Sequence, residues 1–197
     1  MQLYLIRHPE PLGARGRCYG RAHLAVDARS LDLAVAAIRG QIPGRVLREA
    51  EMFSSPATRC VLLARALAAP REPVIADDLQ EMNFGAWEGK PWADIPRDEL
   101  DAWAADVWSY APGGTESAAM VAQRWRNWCT RLPAAASGAA IAVTHAGVIR
   151  VALASARTLD AVDIATAVDF GAVYRIDLAG RGACEDSLLT APLGAAP

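Results

Sequence analysis

Three short apolar runs, residues 2–6 (QLYLI), 50–53 (AEMF) and 141–143 (IAV), constrain the fold of this chain most. They are too short for helices and read as buried strands. A fourth run, residues 173–178 (VYRIDL), alternates and reads as a strand nearer a sheet edge. Between these runs lie Ala- and Leu-rich stretches with helical spacing. Ser30 can cap a helix that continues through Arg39 and is ended by Gly40. Pro56 suits the first turn of a helix reaching Ala69, where Pro70 stops it. Thr115 can cap a segment reaching Leu132, with Glu116 placed favourably against the helix dipole, and Gly147 opens a helix to about Arg157. Strands alternating with helices predict an α/β layer fold with a mostly parallel sheet.

The chain has 197 residues, 53% hydrophobic and 21% charged, as expected of one globular domain over 1–197. Its formal charge of −2 argues against a nucleic-acid binder, which carries a basic stripe. No apolar run approaches the roughly 20 residues of a membrane helix. The opening MQLYLIRHPE lacks the basic start and apolar core of a signal peptide. A cytoplasmic protein is therefore expected, with Cys18, Cys60, Cys129 and Cys184 as reduced, inert thiols. The stretch 81–112 holds Trp87, Trp92, Trp103 and Trp108 among Gly, Pro and acidic residues. It reads as an excursion from the sheet that either covers a site or packs on the core.

In open α/β sheets ligands gather beyond the carboxyl ends of the strands. The residues there are Arg7 and His8, then Ser54, Ser55 and Arg59, then Thr144 and His145. Two arginines and two of the three histidines at one edge would repel one another unless an anion lay between them. Phosphate fits that gap. Arginine gives it planar, paired hydrogen bonds and stays charged. A neutral imidazole can attack phosphorus, and neighbouring cations hold His8 neutral. His145 can donate to an equatorial oxygen in the transition state. Glu81, within LQEMNFGAWEG, is the candidate proton donor, with Glu88 as the alternative. A carboxyl group beside a phosphate and apolar tryptophans favours its protonated form.

At these residues the sequence resembles the histidine phosphatase superfamily, which includes the phosphoglycerate mutases. LIRHPEP, SSPATR, EMNFGAWEG and VTHAGVIR match four family blocks in order. The resemblance implies a three-layer α/β/α sandwich of the phosphoglycerate mutase type. It also implies His8 as nucleophile, Arg7, Arg59 and His145 as phosphate ligands, and Glu81 as proton donor. Three departures are visible: Pro9 replaces a glycine, Ala14 stands near the place of an asparagine, and PGGTES carries an extra Thr115. RHPEP followed by CYGR resembles the α-ribazole phosphatases, which act on a nucleotide precursor of cobalamin. That narrower likeness implies a phosphate contact from Arg21 and an aromatic base flanked by Trp87 or Trp92. His23 stands where an acid sometimes occurs.

Arginines beside the histidines, and the absence of an H-x-x-x-H motif, argue against a metal. No cofactor is expected, and activity should survive chelators. The expected partner is a small phosphomonoester, α-ribazole 5'-phosphate by the narrower likeness, hydrolysed through a phosphohistidine on His8. The alternatives are a broad-specificity small-molecule phosphatase or a phosphoglycerate mutase-type enzyme, and an inactive binding module ranks last. Trp125 and Trp128, three apart on one helix, point to core or interface and permit a homodimer.

Overall fold

The computed structural model describes residues 1–132, 138–156, 166–179 and 183–185. Among the described residues six strands form one sheet, in the order β3-β2-β4-β1-β5-β6. They are β1 (Gln2–Arg7), β2 (Glu51–Ser54), β3 (Val74–Ile75), β4 (Ala139–Thr144), β5 (Val173–Ala179) and β6 (Ala183–Glu185). The first four run parallel, while β5 and β6 are antiparallel to their neighbours. The apolar runs therefore became strands as expected. The short strand β3 went unread, and β5 lies one place in from the edge, beside β6.

Strand alternation sorts the core into two halves. Leu3 and Leu5 of β1 join Ala140 and Ala142 of β4 on one face. Tyr4 and Ile6 join Ile141 and Val143 on the other. The first face packs against α5 (Ala118–Arg131) and α6 (Ala146–Ala156), through Val121, Trp125, Val148 and Ile149. The second packs against α1 (Ala28–Gln41) and α3 (Thr58–Ala68), through Ile38, Leu63 and Leu67. Two faces buried under helices explain why the strands read as continuous apolar runs. The short α2 (Gly44–Glu49) leads into β2, and α4 (Arg97–Ala105) lies in the tryptophan-rich excursion.

Helix starts fell a few residues from their expected places. Asp27, not Ser30, caps α1: its carboxylate accepts from the Ser30 N–H at 2.9 Å and the Ser30 hydroxyl at 3.1 Å. An aspartate three residues upstream satisfies the first-turn amides that Ser30, already inside the helix, cannot reach. That helix also runs through Gly40 to Gln41. Ser117, not Thr115, caps α5, because Gly113 and Gly114 take positive φ and turn the chain just before it. Helix α6 is described to Ala156, and Arg157 lies outside the described residues. Trp125 and Trp128 are 1% and 4% exposed, with Trp128 edge-on to Phe53. Both belong to the core.

The excursion builds a small core of its own. Trp87, Cys18 and Ile95 are buried there, with Phe84, Trp92, Trp103 and Tyr110 packed around them. Trp92 and Trp103 stack, and the Trp87 indole donates to Glu99 Oε2 at 2.6 Å. Backbone bonds from Cys18 to Lys90, Gly89 to Cys18 and Trp92 to Gly16 stitch this unit to the loop after β1. The unit packs on itself, and Phe84 and Trp92 at its rim wall the hollow described next. No helix among the described residues is long and apolar enough to cross a membrane.

Candidate active site

Parallel pairing aligns the carboxyl ends of β1, β4 and β2, and with them His8, His145 and Ser55. Arg59, in the first turn of α3, reaches back to the two histidines from behind the pocket wall, and it lines neither of the two hollows described below. The His8 and His145 rings lie 5.0 Å apart, and both residues are 2% exposed or less. Arg59, 1% exposed, joins them: its Nε donates to His8 Nε2 at 3.2 Å and its Nη2 lies 3.2 Å from His145 Nδ1. The same guanidinium donates to the carbonyls of Ala22 and Gly20.

Partners that can only accept or only donate fix the histidine tautomers. His8 Nδ1 lies 2.7 Å from the Pro9 carbonyl, which only accepts. The hydrogen therefore sits on Nδ1, and the Nε2 lone pair faces Arg59. Proline at position 9 loses an N–H but keeps the carbonyl this bond requires. For His145 the argument runs the other way. A guanidinium only donates, so neutral His145 accepts at Nδ1, and its Nε2–H is given to Ser55 Oγ at 2.8 Å. In this tautomer His145 accepts at Nδ1, and the donation expected from the sequence for the transition state requires a second proton there. Burial, then Arg59, then Arg7 hold His8 well below the usual histidine range, against the pull of the Pro9 bond. Burial, competition with the adjacent His8 for a proton and the charge of Arg59 do the same to His145.

Folding stability inherits this. Unfolded histidines take up protons near 6.5, while these two resist until well below it. In that window the unfolded state binds more protons, so stability rises with pH and is lost on acidification. Chemical denaturation between pH 7.5 and 5 is expected to show falling stability, with the fall reduced by inorganic phosphate.

Arg7 and His8 open on a hollow of about 310 Å³ that Tyr19, Glu81, Phe84, Trp92 and Phe170 also line. An adjoining hollow of about 410 Å³ is lined by Arg21, His23, Ser55, Asp77, Glu81 and His145. Glu81 is on the wall of both. Its Oε1 accepts from the Met82 N–H at 2.9 Å and its Oε2 from the Gly147 N–H at 3.1 Å. A Cβ at position 147 would overlap Glu81 Oε1, so a side chain there would push the Glu81 carboxylate aside. Thr144 secures the segment from behind, donating to the Leu79 carbonyl at 2.7 Å.

Glu88 does something else. Its carboxylate accepts from the backbone N–H groups of Gly20, Arg21, Ala22 and Phe84, at 3.0–3.2 Å. It clamps the loop whose carbonyls hold Arg59, and it lines neither hollow. Arg21 donates to Glu116 Oε2 at 3.3 Å and to the Glu81 carbonyl at 3.4 Å, placing its guanidinium at the second hollow. Of the two tryptophans expected to flank a base, Trp92 lines the first hollow, whereas Trp87 is buried in the aromatic unit. Sequence reading missed Ser55 as the anchor of His145, and Glu116, which gathers Arg21, Arg124 and the Asn83 N–H. The second serine of SSPATR and the glutamate of PGGTES were visible signals without an evident partner. Cys18 and Cys60 are buried, and burial pushes both thiols up to about 12.

Two imidazoles and two guanidiniums thus converge on one edge of a parallel sheet. Among the described residues neither Arg7 nor Arg59 has a carboxylate in salt-bridge contact. That is the class of site made for a tetrahedral oxyanion. The chain belongs to the histidine phosphatase superfamily (branch 1), whose family model matches residues 3–186. It is similar to the alpha-ribazole phosphatase from Shigella flexneri, at 25% identity and TM-score 0.73, over 100% of both chains. It is also similar to a phosphoglycerate mutase from Thermus thermophilus, at 26% identity and TM-score 0.71, over 97% of this chain and 100% of that one. A structure from Escherichia coli, 23% identical, agrees in fold, with a TM-score of 0.77 over 100% of this chain and 99% of the other. No curated protein matches the chain significantly.

Proposed function

We propose that the chain is a metal-independent phosphomonoesterase that acts through a phosphohistidine at His8, on α-ribazole 5'-phosphate or a closely similar nucleotide. The observation that carries this reading is the tautomer lock on His8: Nδ1–H on the Pro9 carbonyl, with the Nε2 lone pair turned toward Arg59 and the His145 ring 5.0 Å away. Nε2 attacks phosphorus as the ester P–O bond breaks, and Glu81 gives its proton to the leaving alkoxide. Water then attacks the phosphoryl group and returns a proton to Glu81. The N–P bond breaks, and inorganic phosphate leaves with the His8 lone pair restored. Arg7 and Arg59 carry the charge on the equatorial oxygens. The dianion reverses the local Coulomb balance, which favours proton uptake by His145 and makes its Nδ1 a donor.

The nucleotide reading is supported by the likeness to the Shigella enzyme and by Phe84 and Trp92, aromatic faces on the wall of the His8 hollow. A panel of phosphomonoesters, ranked by kcat/KM with chelator present throughout, tests it. α-Ribazole 5'-phosphate is expected to rank first, with unchanged rates in chelator. Activity restored only by added zinc or magnesium would remove the mechanism. Isomerisation of a phosphoglycerate without phosphate release would favour the mutase reading.

Two further outcomes follow from the geometry. The kcat/KM profile reports free-enzyme ionisations, so its acid limb from His8 is expected well below 6.5. A limb at the ordinary histidine value would mean that His8 is not the group titrating. Second, Gly147→Ala drives Glu81 from its seat. For an alkyl phosphate kcat is expected to fall on the order of 10²-fold, the scale of a misplaced catalytic group. For p-nitrophenyl phosphate, whose leaving group needs no proton, the fall is expected to be severalfold at most. Equal losses on both substrates would deny Glu81 the proton-donor role.

A further inference from the structure

Arg7 is held differently from Arg59. Its backbone is pinned on both sides, with its N–H on the Ala172 carbonyl at 3.0 Å and its own carbonyl accepting from Gly171 at 3.1 Å. The guanidinium has less. One Nη donates to the Val168 carbonyl, and Nε is buried with no hydrogen-bond partner among the described residues. The Tyr19 side chain adds a second hydrogen bond, so the group is held by hydrogen bonds at the Val168 and Tyr19 side only, with Nε left over.

Phe170 adds a restraint of another kind, on the face of the group. The Arg7 Cζ sits over its ring, 3.7 Å from the ring centroid, and that centroid is 5.7 Å from that of His8. The ring is half-buried and lines the same hollow, so it is not simple core filling. Gly171 follows with φ +72, a turn that only glycine takes without strain, and its N–H bonds to the Arg7 carbonyl. That turn carries the phenyl ring back over the strand end. A phenyl face attracts a guanidinium through its quadrupole and takes no N–H from it.

We infer that Phe170 is a positioning residue for Arg7, covering one face of the guanidinium so that its free N–H edge is presented to the phosphate oxygens. The inference rests on the reading of this hollow as a phosphate site. Its benefit is pre-organisation: the side chain is already oriented when the anion arrives.

The test is inorganic phosphate binding by calorimetry on four proteins: wild type, Phe170→Leu, Arg7→Ala and the double variant. Phe170→Leu is expected to weaken phosphate binding by about tenfold, the scale of a partly desolvated cation–π contact. In the Arg7→Ala background the same change should cost less than about twofold. Phe170→Tyr, which keeps the ring face, should recover most of the loss, and it guards against a Leu variant that folds poorly. Equal losses in both backgrounds, or none in wild type, would overturn the positioning role. A wild-type protein that neither binds phosphate nor hydrolyses any phosphomonoester would instead overturn the phosphatase reading on which it stands.

Discussion

Replacing His8 with alanine is expected to lower kcat by more than about 10⁴-fold, the scale seen when a covalent nucleophile is removed. The size of the effect depends on whether another group can take over, and the surroundings offer none. His145, the nearest imidazole, has Nε2 engaged with Ser55 and Nδ1 with Arg59. The Cys60 thiol is fully buried, 3.5 Å from His145 Nε2, and burial keeps it protonated at any working pH. Direct attack by water is left, without the division of the reaction into two easier steps. Rapid quenching of the wild type with labelled substrate should trap an alkali-stable, acid-labile protein phosphate that the variant does not form. His8→Asn, which keeps a polar side chain in the space, is expected to be as inactive. A variant retaining a tenth of the wild-type rate would show that the phosphoryl group never resides on His8.

Much of this site was legible because it lies at strand ends. Once the runs at residues 2–6, 50–53 and 141–143 were taken as parallel strands, His8, Ser55 and His145 had to share an edge. What stayed hidden depends on contacts between segments far apart in the chain. Glu81 and Glu88 look alike in EMNFGAWEG, seven residues apart. They part company only in space, where Glu88 meets the amides of residues 20–22 and Glu81 meets Gly147. No local propensity distinguishes them. Phe170 was invisible for a similar reason: its partner Arg7 is 163 positions earlier, and a lone aromatic before a strand carries no signal. The helix caps were misplaced by two or three residues, because several cap-forming side chains competed and tertiary packing chose among them.

Arg59 is expected to be the next most damaging site, and for a reason that separates activity from stability. Its guanidinium ties His8, His145 and the carbonyls of Gly20 and Ala22 into one unit. Lysine offers a point charge where this arrangement uses a planar fork, so Arg59→Lys is not conservative here. A loss of about 10³-fold in kcat/KM is expected, that of a lost oxyanion donor with some misalignment of His8 added. Stability should respond far less in Arg59→Met. Two buried carbonyls lose their donors, at about 1–3 kcal/mol each. Against that, a buried cation without a carboxylate partner is removed, together with its desolvation cost. The terms oppose each other and are similar in size, so the melting temperature should move by no more than about 10 °C. The measurement pairs kcat/KM with thermal melting for both variants. Retained kcat/KM would mean that the anion is held elsewhere. Activity lost only in step with unfolding would make Arg59 a structural residue of the loop it anchors.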